Sequence, residues 1–446
     1  MDPAPVTSSF SRDEWDACIK VLRAIGDDPD IIPDVDLLKG LVTRLYRDAR
    51  KERRRSAREE KSSADRATIE ATVRCRQEPL DSAPLLPERD AELTLRRAAN
   101  CYVCKALYTV VDTFYHLLCP ACAAKNHAWR IRRTDLTGRR ALVTGGRIKI
   151  GHQVALKFLR DGAGVIVTSR FPYDAIRRFA SAPDFAEWRD RLRVVPLDLL
   201  NLPAVERFAE HLLATESHLD LLINNAAQTV RRPPEYHAAL QAAEAQLALA
   251  NGMSQLLLAP KSEALFPISV PEPFAMEFDG EPLDLRARNS WVLGACEIET
   301  TELLETHLVG AFAPFILTTR LRPLLGRSPF TERFIVNVSA MEGQFGRRNK
   351  TERHPHTNMA KAALNMLTRT SAADFVRDAI YMNSVDTGWI TNENPRFAKR
   401  EQRASGFVPP LDVIDGAARI YAPIVSGIED SPVFGKFLKD YAEHEW

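Results

Sequence analysis

The sequence predicts an α/β protein built on a doubly wound parallel sheet, preceded by a small zinc module and an α-helical N-terminal region. Residues 140–151 combine a short apolar run, a turn with glycines and an apolar helical pattern that begins at Gly151. This order is typical of a buried strand that leads through a tight turn into a helix. Further apolar runs follow at 165–169, 192–197 and 221–223, with candidate helices between them. Strands that alternate with helices form a parallel sheet covered on both faces.

Length and composition indicate several domains and a sizeable core. The 446 residues exceed the usual size of one domain, and 45% of them are hydrophobic. We expect a helical N-terminal region and linker over 1–90, a four-cysteine zinc module over 91–133 and the α/β domain over 134–446. The net charge of +1 argues against a long nucleic acid as partner.

The expected compartment is the cytoplasm. No apolar stretch has the length of a membrane span, and residues 1–10 lack the pattern of a signal peptide, so we expect no membrane partner. Four of the seven cysteines form two close pairs. This usage fits metal binding in a reducing compartment better than a disulfide framework.

Two helices are predicted in the N-terminal region. Ser11 and Glu14 have the spacing of a capping box, and a second helix begins near Asp34. The buried stripe of this second helix is expected to consist of Leu38, Leu41, Val42 and Leu45. Its continuation, 47–61, interleaves Arg, Lys and Glu, which favours a solvated helix with ion pairs; phosphate binding by its arginines is the alternative. The Pro- and Ser-rich segment 78–90 is predicted to be a linker.

Four cysteines have the spacing of structural zinc ligands: Cys101, Cys104, Cys119 and Cys122. Two Cys-x-x-Cys turns supply the four thiolates of a closed tetrahedral site, which leaves no open position for catalysis. Metal binding would also explain how so small a segment folds. Free thiols or a redox pair are the alternative. His116 and His127 lie nearby but are not needed as ligands once four thiolates are counted. A module of this kind binds a protein partner, a nucleic acid or its own chain.

The turn that follows residue 143 is a candidate anion site. Free backbone N–H groups and the dipole of the following helix both favour a negative charge there. In doubly wound sheets this is where the pyrophosphate of a dinucleotide lies.

Several motifs in the same order resemble the short-chain dehydrogenase/reductase family, and the resemblance covers most of residues 136–446. Residues 144–151 (Thr-Gly-Gly-Arg-Ile-Lys-Ile-Gly) match the family's Thr-Gly-x-x-x-Gly-x-Gly turn. Residues 224–227 (Asn-Asn-Ala-Ala) match its Asn-Asn-Ala-Gly strand end, and Asp198 matches the carboxylate that contacts adenine. Residues 334–339 and 382–388 are similar to its fifth and sixth strands. The resemblance implies a Rossmann fold of this family's type.

The resemblance also implies which residues hold a dinucleotide. They are Gly145, Arg147, Lys149, Ile150, Gly151, Arg170, Asp198, Leu199, Asn225, Ala226, Lys361 and Gly388. Lys149 stands in place of the second glycine, so its side chain either pairs with a phosphate or fills the pocket. Arg170 suits a 2′-phosphate, which favours NADP over NAD without excluding NAD. An ordinary surface salt bridge is the alternative for Arg170.

The resemblance breaks down at the reacting groups. The family transfers hydride with Asn, Ser, Tyr and Lys, whereas alignment places His307, Ala340 and Thr357 at the first three and retains Lys361. A threonine hydroxyl is too short and too weakly acidic to replace the tyrosine. A histidine near neutral pKa is a substitute proton donor; alternatively, His354 and His356 are surface-loop residues. The candidate catalytic residues are Lys361, His307 and His356.

An insert at about 228–300 separates the fourth strand from the helix of His307. It contains an Ala-rich helix at 236–250 and a Pro-rich passage at 259–283, and its place at the strand ends suggests a lid or a docking surface. The helices that contain His307 and Lys361 form dimers in the family, so the resemblance implies a homodimer.

Three functions are therefore weighed. The leading one is a non-catalytic NAD(P)-binding scaffold or sensor that engages a protein partner through the zinc module or the insert. The second is an NADP-dependent oxidoreductase with a non-standard proton donor. The third is a nucleic-acid-binding protein that uses the zinc module and the basic helix.

Overall fold

The computed structural model of the chain describes residues 11–28, 34–76, 93–232, 234–250, 284, 286–347 and 350–446. The chain divides into two compact units, Met1–Asp65 and Arg66–Trp446. The predicted linker and the Pro-rich passage of the insert lie outside the described residues. Among the residues described, no helix combines the length and apolar character needed to cross a bilayer.

The N-terminal helices are α1 (Arg12–Asp27) and α2 (Val35–Glu70). The predicted capping box is confirmed, because Ser11 Oγ accepts from Glu14 N at 3.2 Å while Ser11 N donates to the Glu14 carboxylate at 2.6 Å. The predicted burial of the α2 stripe is wrong in this unit. Leu41, Val42 and Leu45 are 52%, 48% and 71% exposed, since this face of α2 is turned to solvent.

The four-cysteine module consists of a hairpin and a helix. Strands β1 (Leu93–Asn100) and β2 (Leu107–Val111) pair antiparallel, and helix α3 (Pro120–Ile131) begins directly after its N-cap Cys119 and contains Cys122. The module belongs to the same compact unit as the α/β sheet. Its apolar core continues into that sheet's domain through Ile390, Leu411 and Val413.

An eight-stranded sheet organises the larger unit. Its strands are β3 (Arg140–Thr144), β4 (Gly164–Ser169), β5 (Leu192–Pro196), β6 (Leu221–Asn224), β7 (Arg333–Ser339), β8 (Ile380–Asp386), β9 (Phe437–Lys439) and β10 (Ala442–His444). The spatial order is β10-β9-β8-β7-β6-β3-β4-β5, and all neighbours pair in parallel except β9 and β10. This confirms the predicted doubly wound sheet. The strand order reverses between β3 and β6, where such sheets open a crevice at their carboxyl edge.

Helices cover both faces of the sheet. They are α4 (Lys149–Arg160), α5 (Pro172–Ala180), α6 (Phe185–Trp188), α7 (Leu202–Thr215), α8 (Pro234–Ala250), α9 (Thr300–His307), α10 (Ala313–Arg320), α11 (Arg322–Gly326), α12 (Pro355–Phe375), α13 (Arg396–Ala404) and α14 (Val413–Glu429). One core layer packs α4, α5 and α14 on the sheet, and the other packs α7, α10 and α12. The apolar residues that mark α4 in the sequence, such as Val154 and Phe158, are fully buried.

Candidate functional site

A cleft of about 380 Å³ lies where the strand order reverses, at the carboxyl ends of β3, β4, β5 and β6. Most of the residues predicted to hold a dinucleotide line it: Gly145, Arg147, Lys149, Ile150, Gly151, Arg170, Asp198, Leu199, Asn225 and Ala226. Lys361 and Gly388 are not part of this lining. Lys361 turns to the backbone of β7, and Gly388, with φ of +83°, lies against Leu411.

The turn between β3 and α4 is fixed by the end of β6. Thr144 Oγ1 accepts from the backbone N–H groups of Asn225 and Ala226 at 3.0 and 3.1 Å. The Asn225 side chain donates to the carbonyl oxygens of Thr144 and Gly145 at 2.9 and 3.2 Å. A Cβ at Gly151 would lie only 2.4 Å from the Gly145 oxygen. The turn therefore excludes a side chain there and leaves the N-terminus of α4 open to an anion.

Lys149, which stands at the position of the family's second glycine in the motif alignment, has a backbone conformation that glycine adopts readily. Its φ is +54°, in the left-handed region that side chains rarely adopt. Glu393 lies on the segment after β8, and its pKa is lowered. Burial alone would raise this pKa, but positive charges, first Lys149 and then Arg232, act against burial and lower it. The Lys149 charge therefore lies near a carboxylate that also lines the cleft.

Positive charge gathers at the β4 end of the cleft. Arg147 donates to Asp174 at 2.8 Å, and its guanidinium lies 5.2 Å from the centroid of the Phe171 ring. The exposed Arg170 lies 5.8 Å from the same centroid. Burial, followed by the charge of Arg170, lowers the pKa of His237 to about 4. This end of the cleft is an electrostatic environment suited to an anion.

The insert supplies one wall of the cleft through α8. Tyr236, His237 and Leu240 line it. The Glu244 carboxylate accepts from the backbone N–H groups of Tyr173 and Asp174 at 2.6 and 2.9 Å, which ties α8 to the N-terminus of α5. The sequence placed a helix here without assigning it to the site, because its Ala-rich pattern carries little information about a partner.

At the predicted reacting end, β7 is followed by Ala340, which carries no hydroxyl. Thr357 is buried in α12, and its Oγ1 lies 3.5 Å from His356 Nε2. Lys361 Nζ donates to the Val338 carbonyl oxygen at 2.6 Å. Burial lowers the pKa of Lys361 to about 8.

His356 is a buried residue beside an acid, and its interpretation as a surface-loop residue is wrong. It is 1% exposed, because α12 begins at Pro355 and carries the imidazole into the interior. Its Nε2 lies 3.7 Å from Glu302 Oε1 on α9, and burial lowers its pKa. His356 Nδ1 is buried without a hydrogen-bond partner in the described part of the chain. Glu302 was not anticipated from the sequence.

The other two histidines are held by backbone contacts. His307 Nδ1 donates to the Leu303 oxygen at 2.8 Å, and the chain then forms a π-helical turn over Leu308–Phe312. Such turns are frequent at functional sites. His354 is half-buried: its Nδ1 donates to the Trp291 oxygen at 2.9 Å, and its ring stacks on the Trp291 ring with centroids 4.0 Å apart.

The four predicted metal ligands converge. The sulfur atoms of Cys101, Cys104, Cys119 and Cys122 all lie within 4.8 Å of one another, and Cys104 and Cys119 are 3.6 Å apart. Four thiolates at about 2.3 Å from a tetrahedral zinc would be separated by about 3.8 Å. The surplus histidines are engaged elsewhere, His127 with Asp112 at 3.1 Å and His116 with the Val408 oxygen at 3.1 Å. The donor set fits zinc.

Comparison with known proteins identifies the family. A sequence model described as short chain dehydrogenase matches residues 139–250. An uncharacterized protein of Acanthamoeba polyphaga mimivirus is 32% identical over 343 residues, which are 73% of this chain and 71% of that protein. The chain belongs to the short-chain dehydrogenase/reductase family. The WW domain-containing oxidoreductase of Drosophila melanogaster is 39% identical over 95 residues, 21% of this chain and 23% of that protein.

Among solved structures, a blue fluorescent protein from a metagenomic library, in complex with NADPH, is 18% identical with a TM-score of 0.47, covering 69% of this chain and 97% of that one. A short chain dehydrogenase from Burkholderia cenocepacia, in complex with NADP, is 19% identical with a TM-score of 0.45. That comparison covers 69% of this chain and 97% of the other.

In this short-chain dehydrogenase/reductase, the four-cysteine module precedes β3 and helix α8 follows β6. Both make contacts within the compact unit that holds the cleft. Sequence motifs marked the turn of the cleft, whereas its α8 wall and the Glu302–His356 pair depend on contacts between distant segments.

Proposed function

We propose that this protein binds NAD(P), with NADP favoured, and uses the bound dinucleotide for sensing or scaffolding rather than for hydride transfer. The observation that carries the proposal is the contrast between the two ends of the site. The glycine turn is closed by four hydrogen bonds that Asn225 and Ala226 donate. At the reacting end, alignment with the family's motifs places Ala340 and Thr357 at the positions of its serine and tyrosine.

The preference for NADP rests on the charge at the β4 end. Arg170 and Arg147 flank the Phe171 ring, and Arg147 is oriented by Asp174. A 2′-phosphate placed here would meet guanidinium groups, which bind phosphate in bidentate geometry. Arg170→Ala should therefore weaken NADPH binding more than NADH binding.

The loss of hydride chemistry rests on the missing proton donor. Losing a positioned acid costs about 10²–10⁴ in rate. Thr357 offers a hydroxyl of alcohol acidity, and the Lys361 ammonium is directed to the Val338 oxygen. The turn between β3 and α4 still provides backbone N–H groups for a coenzyme that does not react.

Fluorescence titration with NADPH tests the proposal. The wild-type protein should show saturable binding, and Gly151→Ala should abolish it, because the added Cβ would lie 2.4 Å from the Gly145 oxygen and 2.5 Å from the Asn225 amide. Gly326→Ala is the matched control, since its Cβ would meet no atom within 4 Å. Absence of saturable binding in the wild-type protein would contradict the proposal.

A second candidate function is favoured by the buried Glu302–His356 pair. In it, NADPH would deliver hydride to a carbonyl carbon while protonated His356 gives its proton to the carbonyl oxygen, so that an alcohol and NADP⁺ form. Glu302, 3.7 Å from the imidazole, would stabilise the charged form. NADPH consumption should be assayed with aldehydes, ketones and quinones. Steady turnover that is lost in His356→Ala would replace the binding-only proposal with this one.

We also propose that the four cysteines hold one structural zinc. The mutual distances of their sulfur atoms support a closed tetrahedral site. Metal analysis should give one zinc per chain, and the double variant Cys101→Ser with Cys104→Ser should give none. Cys296→Ser, at an exposed cysteine outside the cluster, is the control and should retain the metal.

A further inference from the structure

The four-cysteine module packs on its own chain, at the segment that follows β8. Its buried Phe114, Tyr115 and Leu118 share one apolar cluster with Ile390, Leu411 and Val413 of that segment and of α14. The described face of the module is thus part of a core. These residues therefore contact the protein's own chain.

A buried charge network joins the module to the start of α14. Arg130 of α3 donates to both carboxylate oxygens of Asp412, at 2.7 Å each, and to Asp415 at 3.2 Å. Tyr115 donates to the same Asp415. Asp412 in turn caps α14 through the backbone N–H of Ile414 at 2.9 Å. Because these groups are buried, loss of one partner would leave an uncompensated charge.

The segment 387–411 contacts the four-cysteine module near both of its ends, and near the second end it also contacts Arg74, which precedes the module. Near its start, Tyr102, which lies between the first two cysteines, accepts from the backbone N–H of Trp389 at 2.9 Å. Near its end, His116 contacts the Val408 oxygen at 3.1 Å, and Arg74 donates to the Leu411 oxygen at 2.7 Å. The position of this segment therefore depends on the folded module.

The same segment reaches the coenzyme cleft by two routes. Thr391 and Glu393 line the cleft directly. Ile390 lies in the module's apolar cluster, and Ile150, from the glycine turn itself, packs against that cluster. A Cβ at Gly416 would lie 2.4 Å from Ile390 Cδ1 and 3.1 Å from Ile150 Cγ1, so α14 approaches both side chains closely.

We infer that the four-cysteine module is a positioning element of the coenzyme site: in its metal-bound, folded form it sets the segment 387–411 and the glycine turn, and loss of the metal weakens dinucleotide binding. The inference rests on the proposed NAD(P) binding. In this interpretation the module binds a segment of its own chain. Tyr102 is then a positioning residue, which acts through its hydrogen bond with the Trp389 N–H and does not touch the coenzyme.

The first test compares cysteine variants of the full-length chain. Cys104→Ser with Cys119→Ser should lose zinc, raise the dissociation constant for NADPH at least about tenfold, and speed amide hydrogen exchange in 387–411 and 145–151. Cys296→Ser should change none of these readouts. Metal-free protein that binds NADPH with wild-type affinity would overturn the inference.

The second test keeps the metal and removes one contact. Tyr102→Phe retains the four cysteines but removes the acceptor of the Trp389 N–H, so zinc content should stay at one per chain while NADPH affinity falls about threefold, as expected for one hydrogen bond. Exchange at the Trp389 amide should become faster. Tyr46→Phe, at an exposed tyrosine of α2, is the control. Unchanged affinity and exchange in Tyr102→Phe would contradict its positioning role.

The two proposals fail in different ways. If the wild-type protein does not bind NADPH, the proposed function is wrong and the exchange data alone decide whether the module orders 387–411. If the wild-type protein binds and both module variants bind equally well, the proposed function stands and the positioning role is wrong.

Discussion

Lys361 carries a charge that the folded protein tolerates poorly. Its ammonium lies in the interior with the Val338 oxygen as acceptor, and burial lowers its pKa from 10.5 to about 8. Between pH 8 and 10.5 the unfolded chain therefore binds a proton that the folded chain has lost. The contribution of Lys361 to the free energy of unfolding rises with pH across that window, and below pH 8 the buried charge is destabilising.

Lys361→Met should remove this penalty. We expect the free energy of unfolding at pH 7 to rise by about 1–2 kcal/mol, which is the desolvation cost less the lost hydrogen bond. Urea unfolding of both proteins at pH 7 and 9.5 would measure it, and the gap between them should narrow at the higher pH. A variant less stable than wild type at pH 7 would show that the ammonium is stabilising.

Three histidines make the fold sensitive to acid. Burial lowers the pKa of His116, His152 and His237 to about 4. Between pH 6.5 and 4 these histidines are protonated in the unfolded chain but neutral in the folded protein. The free energy of unfolding therefore falls as the pH falls towards 4. Each histidine contributes at most about 1.4 kcal/mol per pH unit.

His152→Phe should reduce that slope. The ring packs on Phe179 with centroids 4.3 Å apart, so a phenylalanine of similar shape removes the titration and keeps the apolar contact. Unfolding should be followed in urea at pH 5, 6 and 7, with His444→Phe at an exposed position as control. A slope unchanged between wild type and His152→Phe would mean that His152 has the same pKa in the folded and unfolded proteins, and would contradict this prediction.

At the scale of elements, the sequence predicted what local pattern determines and missed what distant segments determine. The strand, turn and helix around Gly151 follow from apolar periodicity and glycine placement, and each was found where predicted. The Arg130–Asp412 contact joins residues 282 positions apart, and a local sequence pattern cannot predict such a pair. His356 is similar: the polar residues before it are typical of a loop, yet it is buried in α12 beside Glu302.

The insert helix α8 offers an element-scale test. Glu244 caps the N-terminus of α5 from across the cleft, and loss of a cap costs about 1 kcal/mol. Glu244→Ala should lower stability by that amount and weaken NADPH binding about threefold or more, because the α8 wall loses its attachment. Glu210→Ala, at an exposed site on α7, is the control. If Glu244→Ala bound NADPH with wild-type affinity, the attachment of α8 through Glu244 would not contribute to coenzyme binding, and the prediction would be wrong.

At the scale of the whole molecule, the helical segment 300–320, which contains His307, and helix α12, which contains Lys361, leave apolar side chains about half exposed: Leu304, Phe312, Phe315, Met359 and Met366. Large apolar residues clustered on adjacent helices mark a contact surface, and the family resemblance assigns these helices to a dimer. We propose that a second copy of the chain covers them in a two-fold arrangement, in which each patch meets its equivalent.

Light scattering after size exclusion should therefore give about twice the 50.1 kDa mass of one chain. Phe315→Glu with Met366→Glu should return the mass of a single chain, because a desolvated carboxylate on each side of a two-fold interface is unpaired. Phe397→Glu, on α13 and 69% exposed, should leave the mass unchanged. A wild-type protein that elutes at the mass of one chain, or a double variant that stays dimeric, would remove these helices from the interface. If the double variant has the mass of one chain, its NADPH affinity compared with that of the wild-type dimer would show whether the coenzyme cleft depends on the second copy.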